Sequence, residues 1–262
     1  MLAFVHIPKT AGTTLHKVIT QQYPKDRILI HHDSERSSWR DFALQVRAAK
    51  SQVIMGHFSV GLHKEVPELR YITCMREPVA RVVSHYRHAI SDPGHYLHKQ
   101  CVSQNLDLAT YVSSGLSGEL TNGMTRMLAG VADFHHATVN EETLRLAKSN
   151  IESLFDGVIL SESFDEGLLM MAEKFSWQPP YYIRRKVGRY GSAPRKPDPR
   201  TRSIIEEHNR LDCELYSWAR ERFETLASSL PGLADRTRTF QHANRLRGKV
   251  IFCLREIRHR LR

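Results

Sequence analysis

Cysteine is scarce in this 262-residue chain: Cys74, Cys101, Cys213 and Cys253, with no C-x-x-C pair. Such spacing excludes a disulfide framework or a zinc ribbon and reads as the reduced thiols of a cytosolic protein. Long apolar runs are also missing. No stretch reaches the roughly 18–20 apolar residues of a membrane-spanning helix. The opening MLAFVHIPK has neither the basic leader nor the small-residue cleavage site of a secretory signal, so none is expected. There are no internal repeats and no low-complexity tracts. No zinc finger, helix-turn-helix or aromatic-interleaved basic motif supports nucleic-acid binding. The pattern G-x-x-x-x-G-K-[ST] does not occur, and no Asp placed for Mg²⁺ follows an apolar strand, which argues against a nucleotide-dependent phosphotransferase. His31-His32 and His135-His136 lack carboxylates at ligand spacing, so no metal is expected.

What the chain does have is basic charge. Lys and Arg number 38 against 28 Asp and Glu, a formal net charge of +10. Residues 232–262 hold nine of the bases and two of the acids, a net +7, and leave only +3 on residues 1–231. The helix-stopping pair Pro231-Gly232 separates the two parts. The expected organisation is therefore a catalytic-sized body, 1–231, and a basic segment, 232–262. In that segment Leu246, Val250, Leu254, Ile257 and Leu261 recur at helical spacing. Two roles stay open for the stripe. It docks on the body or on a second subunit, or it attaches the protein peripherally to an anionic membrane.

Within the body, short β-branched runs at Leu2–Ile7, Arg27–His31, Gln52–Gly56, Arg70–Met75 and Gly157–Ser161 are each followed by helical periodicity. That alternation predicts an α/β fold, a central parallel sheet covered by helices on both faces as an α/β/α sandwich. Residues 92–150 read as a helical insertion. One long helix is expected from about Arg200 to Leu226, mainly core in its spacing.

Two segments carry chemistry. The first is His6-Ile7-Pro8-Lys9-Thr10-Ala11-Gly12-Thr13-Thr14, a strand running through a Lys/Gly/Thr turn into a helix. Free N–H groups at the helix start, the helix dipole, the Lys9 ammonium and the Thr hydroxyls suit an anion beyond the strand's C-terminal end. The second is Arg76-Glu77-Pro78-Val79-Ala80-Arg81-Val82-Val83-Ser84-His85-Tyr86, again a strand end followed by a helix. Arg76 offers a guanidinium fork and Ser84, two turns along, a hydroxyl for one phosphate.

Together these segments resemble the sulfotransferases that use 3′-phosphoadenosine 5′-phosphosulfate (PAPS), in particular the carbohydrate branch with the uronyl 2-O- and chondroitin-type enzymes. The resemblance implies a P-loop-like sulfotransferase fold, with PAPS as donor and adenosine 3′,5′-bisphosphate (PAP) as product, and no metal. It implies Lys9, Thr10, Ala11, Gly12, Thr13 and Thr14 as 5′-phosphosulfate contacts and Arg76 and Ser84 as 3′-phosphate contacts. Lys186 and Arg189, in the basic run Arg184–Arg189, correspond to a late basic loop that closes on the 3′-phosphate in related enzymes.

A base is still needed for the acceptor hydroxyl, and imidazole has the suitable pKa. His57 follows the strand ending Val53-Ile54-Met55-Gly56, so it projects toward the sulfuryl-holding loop and is the expected catalytic base beside Lys9. Related glycan enzymes carry His-x-His at this strand end, where this chain has Met55. His63 is the fallback and a candidate acceptor contact. Asn122-Gly123-Met124-Thr125-Arg126-Met127-Leu128-Ala129-Gly130 is similar to an N-x-x-T-R-x-L-x-G segment of the family, with Arg126 either an acceptor contact or a buried structural arginine. Glu142, Glu162 and Asp165 read as helix-face or helix-N-terminal charges rather than an acid/base pair. The expected function is transfer of a sulfuryl group to an acceptor hydroxyl, on a glycan or glycoconjugate, in the cytoplasm. A catalytically silent nucleotide-binding protein is the alternative that Met55 keeps open.

Overall fold

The structure, a computed structural model, describes residues 1–31, 39–131, 134–183 and 196–260, the side chains of 39–40 and 248–260 excepted. Five parallel strands form one sheet: β1 (Leu2–Val5), β2 (Ile28–His31), β3 (Val53–Gly56), β4 (Arg70–Met75) and β5 (Phe155–Leu160). Their spatial order is β2-β3-β1-β4-β5. The chain therefore starts in the middle of the sheet, builds out to one side and then crosses β1 to build the other. The connections after β1 and β4 leave in opposite directions, which opens a crevice at the C-terminal ends of these two strands.

The central strands β1, β3 and β4 are buried on both faces, as their near-continuous apolar sequences require, whereas edge strand β2 is only partly covered, with Ile30 exposed. Ala3 and Val5 point into one core with Ile54 and Tyr71, covered by α2 (Trp39–Ala48), α6 (Gly123–Ala129), α7 (Glu141–Leu154) and α10 (Arg210–Ser229). Leu2 and Phe4 point into the other with Val53, Met55 and Ile72, covered by α1 (Gly12–Gln22) and α8 (Phe164–Lys174). The expected three-layer α/β/α sandwich is the observed one. Phe4 is fully buried, and a side chain of that kind contributes about 1.5–3 kcal/mol by leaving water.

A third apolar cluster lies outside the sheet. Val82 and Val83 of α3 (Pro78–Ser91) pack with Cys101 of α4 (His98–Ser103), Tyr111 of α5 (Leu108–Ser113) and Ile205 of α9 (Pro199–His208). The segment expected as a helical insertion thus divides, with α4 and α5 in this lobe and α6 and α7 on the sheet. Buried Cys74 has its thiol pushed far up in pKa by desolvation and is inert as a nucleophile.

The single helix expected over 200–226 is two, α9 and α10, broken at Asn209. The reason is a polar side chain where the periodicity shows core. The Asn209 amide donates to the carbonyls of Leu120 and Ile205 and accepts from the Asn122 N–H. Meeting these partners takes its backbone off helical geometry, at φ −119°, ψ 29°.

The final helix, α11 (Leu233–Arg260), docks on the body through at least Arg247. Phe240 enters the second core, Gln241 donates to Asp165, and Arg247 lies 4.3 Å over the Tyr181 ring. Leu246 is exposed, and the rest of the expected apolar stripe (Val250, Leu254, Ile257 and Leu261) lies outside the described side chains. No described helix is long and apolar enough to cross a membrane.

One buried ion pair joins the layers. Arg81 of α3 and Asp212 of α10 approach to 3.4 Å with side chains 1% and 0% exposed. The Asp212 carboxylate also accepts the N–H groups of Met124 and Thr125 and the Thr125 hydroxyl, so it caps α6. Breaking a buried pair strands the surviving charge. Asp212→Ala is expected to lose about 3–5 kcal/mol of stability in urea unfolding; a loss below 1 kcal/mol would contradict this account.

Candidate active site

The crevice between β1 and β4 opens into a cavity of about 700 Å³. Its floor is the loop from β1 to α1. Lys9 and Ala11 both take left-handed backbone conformations, at φ 68° and 67°. Non-glycine residues held there cost on the order of 1–3 kcal/mol each, and such strain clusters at functional sites. Left-handed residues of this kind recur in the backbone concavities, or nests, that bind anions. Ala11 is the N-cap of α1, and no side chain caps that helix end. Lys9, Ala11, Gly12, Thr13 and Thr14 line the cavity. Thr10 does not: it is fully buried, and its hydroxyl donates to the Ile7 carbonyl at 2.8 Å, closing the loop on itself. Its hydroxyl therefore holds the loop together, which leaves its backbone as the part able to meet a ligand.

Arg76, at the end of β4, donates through Nη1 to the carbonyl of strained Lys9 at 3.1 Å. Helix α3 begins immediately after it, with Pro78 at the first position and the Glu77 carboxylate accepting from the Val79 and Ala80 N–H groups. This start places Ser84 two turns along, on the cavity wall with Arg76. The two chemistry-bearing segments of the sequence therefore meet at one site. Lys186 and Arg189 lie outside the described residues.

His57 follows β3 and lines the same cavity. Its ring stacks on that of His6, centroids 4.2 Å apart and 25° between planes. The sheet sets up this contact, because β1 and β3 are neighbours and the His6 N–H donates to the Gly56 carbonyl at 2.9 Å. On its other side the His6 ring abuts the loop, where a Cβ on Gly12 would fall 2.0 Å from its Cδ2. Glycine at position 12 is thus required by the imidazole beside it. His6 was legible only through the pairing of β1 with β3, which places it next to His57. Met55, where a related pattern has its first histidine, is fully buried in the sheet and points into the second core.

Two expected acceptor contacts do not line this cavity. Arg126 is 7% exposed, and its guanidinium donates to the carbonyls of Thr121, Phe134 and Ala137. That leaves the structural alternative as its observed role. His63 has its Nδ1 3.2 Å from the Tyr71 hydroxyl. Burial, and then neighbouring Lys64, lowers its pKa.

The wall facing the loop comes from α3 and the segment beyond it. His85 contacts the Tyr111 hydroxyl through Nδ1 at 2.8 Å and the Glu119 carboxylate through Nε2. Desolvation acts to raise the Glu119 pKa, but the His85 hydrogen bond, the His85 charge and Arg81 outweigh it and hold the carboxyl down at about 2. His95 sits against His85 and His88, ring centroids 5.1 and 4.9 Å away. Burial first, then the charges of His85 and His88, pull its pKa down to about 4. Glu162, expected as a helix-face or helix-N-terminal charge, lines the cavity beside Arg76, accepting from the Glu77 N–H at 3.2 Å and from the Tyr216 hydroxyl. Asp165 is buried and holds the Tyr182 hydroxyl at 2.6 Å, and Tyr182 lines the cavity as well. Among the described residues no group of three or more metal-ligating side chains occurs.

No family model matches the chain. Across 310 aligned residues it is 24% identical to heparan-sulfate 6-O-sulfotransferase 2 of Danio rerio. The alignment takes in 95% of this chain and 64% of that protein, so the chain spans just under two thirds of its curated relative. Among solved structures it is similar to mouse sulfotransferase SULT7A1 complexed with PAP, at 16% identity and a TM-score of 0.35. That match covers 83% of this chain and 88% of the other.

The depressed His95 pKa has a thermodynamic consequence. The folded protein keeps this ring neutral where the unfolded chain, with pKa near 6.5, takes up a proton. Its contribution to stability is thus complete above pH 6.5 and is lost as pH falls toward 4. Urea midpoints of His95→Phe are expected to decline less steeply than wild type between pH 6.5 and 4. Parallel declines would show that His95 does not titrate in this way.

Proposed function

We propose that this chain transfers the sulfuryl group of PAPS to a carbohydrate hydroxyl. The observation that carries the reading is the meeting of the Lys9 loop with Arg76 and Ser84 in one cavity at the switch point of the sheet. A donor with phosphosulfate at one end and phosphate at the other needs two anion sites, and the presence of both segments on one cavity supports that assignment. The sulfotransferase name of the curated relative supports the same reaction class, and its heparan sulfate acceptor supports a glycan.

The residues present fit the donor. The nest of loop N–H groups, Lys9, Thr13 and Thr14 would hold the phosphosulfate, and Arg76 with Ser84 the 3′-phosphate. When bound, PAPS supplies an activated sulfuryl group on a good leaving group. His57 accepts the proton of the acceptor hydroxyl as that oxygen becomes nucleophilic. The His6 ring stacked beneath it limits its orientation. Lys9 and the loop N–H groups neutralise charge developing on the departing oxygen. They are fixed beforehand by strain and by the Arg76 bond, so little reorganisation accompanies the reaction.

The test is transfer of label from [³⁵S]PAPS to a panel of oligosaccharides, alongside PAP binding by calorimetry. Wild type should bind PAP and not ATP, and Lys9→Ala should lose about 10²–10³ in kcat by analogy with a removed oxyanion donor. His57→Gln should lose turnover while keeping PAP affinity within about threefold of wild type. Wild-type turnover in Lys9→Ala would sink the donor assignment, and wild-type turnover in His57→Gln the base.

A further inference from the structure

His6 touches both halves of the proposed chemistry. On one side its ring stacks on that of His57, centroids 4.2 Å apart and 25° between planes. On another it meets the start of α1, where a Cβ on Gly12 would fall 2.0 Å from its Cδ2 and 2.2 Å from its Nε2. Gly12 follows Ala11, whose left-handed backbone belongs to the donor loop. The imidazole thus lies directly on the loop backbone and directly on the base, and both histidines line the cavity.

The ring is itself held from the core. Phe4 and His6 are two residues apart on an extended strand and its continuation, so their side chains leave the same face. Their rings stack at 5.3 Å and 17°, and Phe4 is fully buried among the residues of the second core. The His6 N–H bond to the Gly56 carbonyl, 2.9 Å, continues the sheet to the residue before His57. Phe4, His6 and His57 therefore form a column of three rings that rises from the core into the cavity.

Proton acceptance by His57 and in-line attack on sulfur need the base and the phosphosulfate at the correct separation at the same moment. The two sit on different loops, after β3 and after β1, and a misplacement of about 1 Å can cost about 10²-fold in rate. His6 occupies the space between those loops, with Phe4 fixing its depth. We propose that His6 is a positioning residue, the spacer that sets His57 against the donor loop, and that the base uses the flat face of this ring rather than its nitrogens. This rests on the sulfuryl-transfer reading with His57 as base and adds the part that holds base and donor site in register.

The experiment follows the full chain by NMR with ¹³C at histidine Cε1, above the pH range in which imidazole titrates, beside the [³⁵S]PAPS assay. The His57 proton signal, assigned by its absence from His57→Gln, is expected upfield of an exposed histidine because its ring lies over another. It should stay upfield in His6→Phe, which keeps a flat face, and move to the exposed position in His6→Leu, which fills the space without one. In the assay, with the panel oligosaccharide that wild type turns over fastest, His6→Leu should lose about 10²-fold in kcat. Its PAP affinity and acceptor KM should stay within about threefold of wild type, and His6→Phe should retain kcat within about fivefold. Wild-type kcat in His6→Leu, or loss of PAP affinity in step with kcat, would overturn the positioning role. Inactivity of His6→Phe as deep as that of His57→Gln would make His6 a base itself and overturn it too. A His57 signal at the exposed position in a wild type that binds PAP overturns the proposal alone, whatever the variants do. Failure of the wild type to bind PAP overturns the sulfuryl-transfer reading and the proposal with it.

Discussion

The Arg81–Asp212 pair sets the position of almost everything above the sheet. Arg81 is one turn before His85 on α3, so whatever fixes its guanidinium fixes the helix face that carries Ser84, His85 and His88. Besides Asp212, Arg81 donates to the carbonyl of Glu119 at 2.9 Å. The acidic side chain of that residue meets His85 one turn further on. Asp212 in turn caps α6. One desolvated ion pair thus clamps α3, the turn carrying Glu119, α6 and α10 together. A surface pair would contribute little of this, since solvent and side-chain entropy leave it worth at most about 1 kcal/mol. Buried, the pair is costly to break, and that cost resists any shift of the cavity wall against the loop.

The loop beneath that wall follows the opposite logic, being held in conformations its residues disfavour. Lys9 and Ala11 would relax from φ near +68° if nothing opposed it. Thr10 opposes it from within by its buried bond to Ile7, and Arg76 from outside through the Lys9 carbonyl. The His6 ring fills the space behind Gly12. Three contacts, from the residues just after β1 and β4 and from the loop itself, therefore hold the loop in this conformation before any anion arrives. Preorganised dipoles stabilise developing charge without reorganising, so the strain and the proposed chemistry have one structural basis.

The fold was largely legible because β-branched runs separated by helical periods leave few alternatives to a parallel sheet. The two anion-binding segments were legible because each is local: strand end, turn and helix start lie within a dozen residues. What could not be read was held by contacts distant in sequence. Asn209 looked like a helix interior until its partners Leu120 and Asn122, some 90 residues away, came into view. Arg126 is indistinguishable in sequence from a ligand-binding arginine, and only the three carbonyls it serves decide its place. The histidine wall escaped for the same reason. His85, His88 and His95 belong to a helix and the turn after it, and nothing in their spacing reveals that they face Lys9 across a cavity.

The distribution of charge explains how a body carrying only +3 can be suited to a polyanionic donor. Among the described residues the cavity offers two permanent cations and two carboxylates, close to balance. Anion recognition at the donor end therefore depends as much on oriented backbone dipoles as on net charge. Dipoles act at short range and in one direction, whereas a cluster of lysines would raise the potential across the whole cavity and draw anions to both ends.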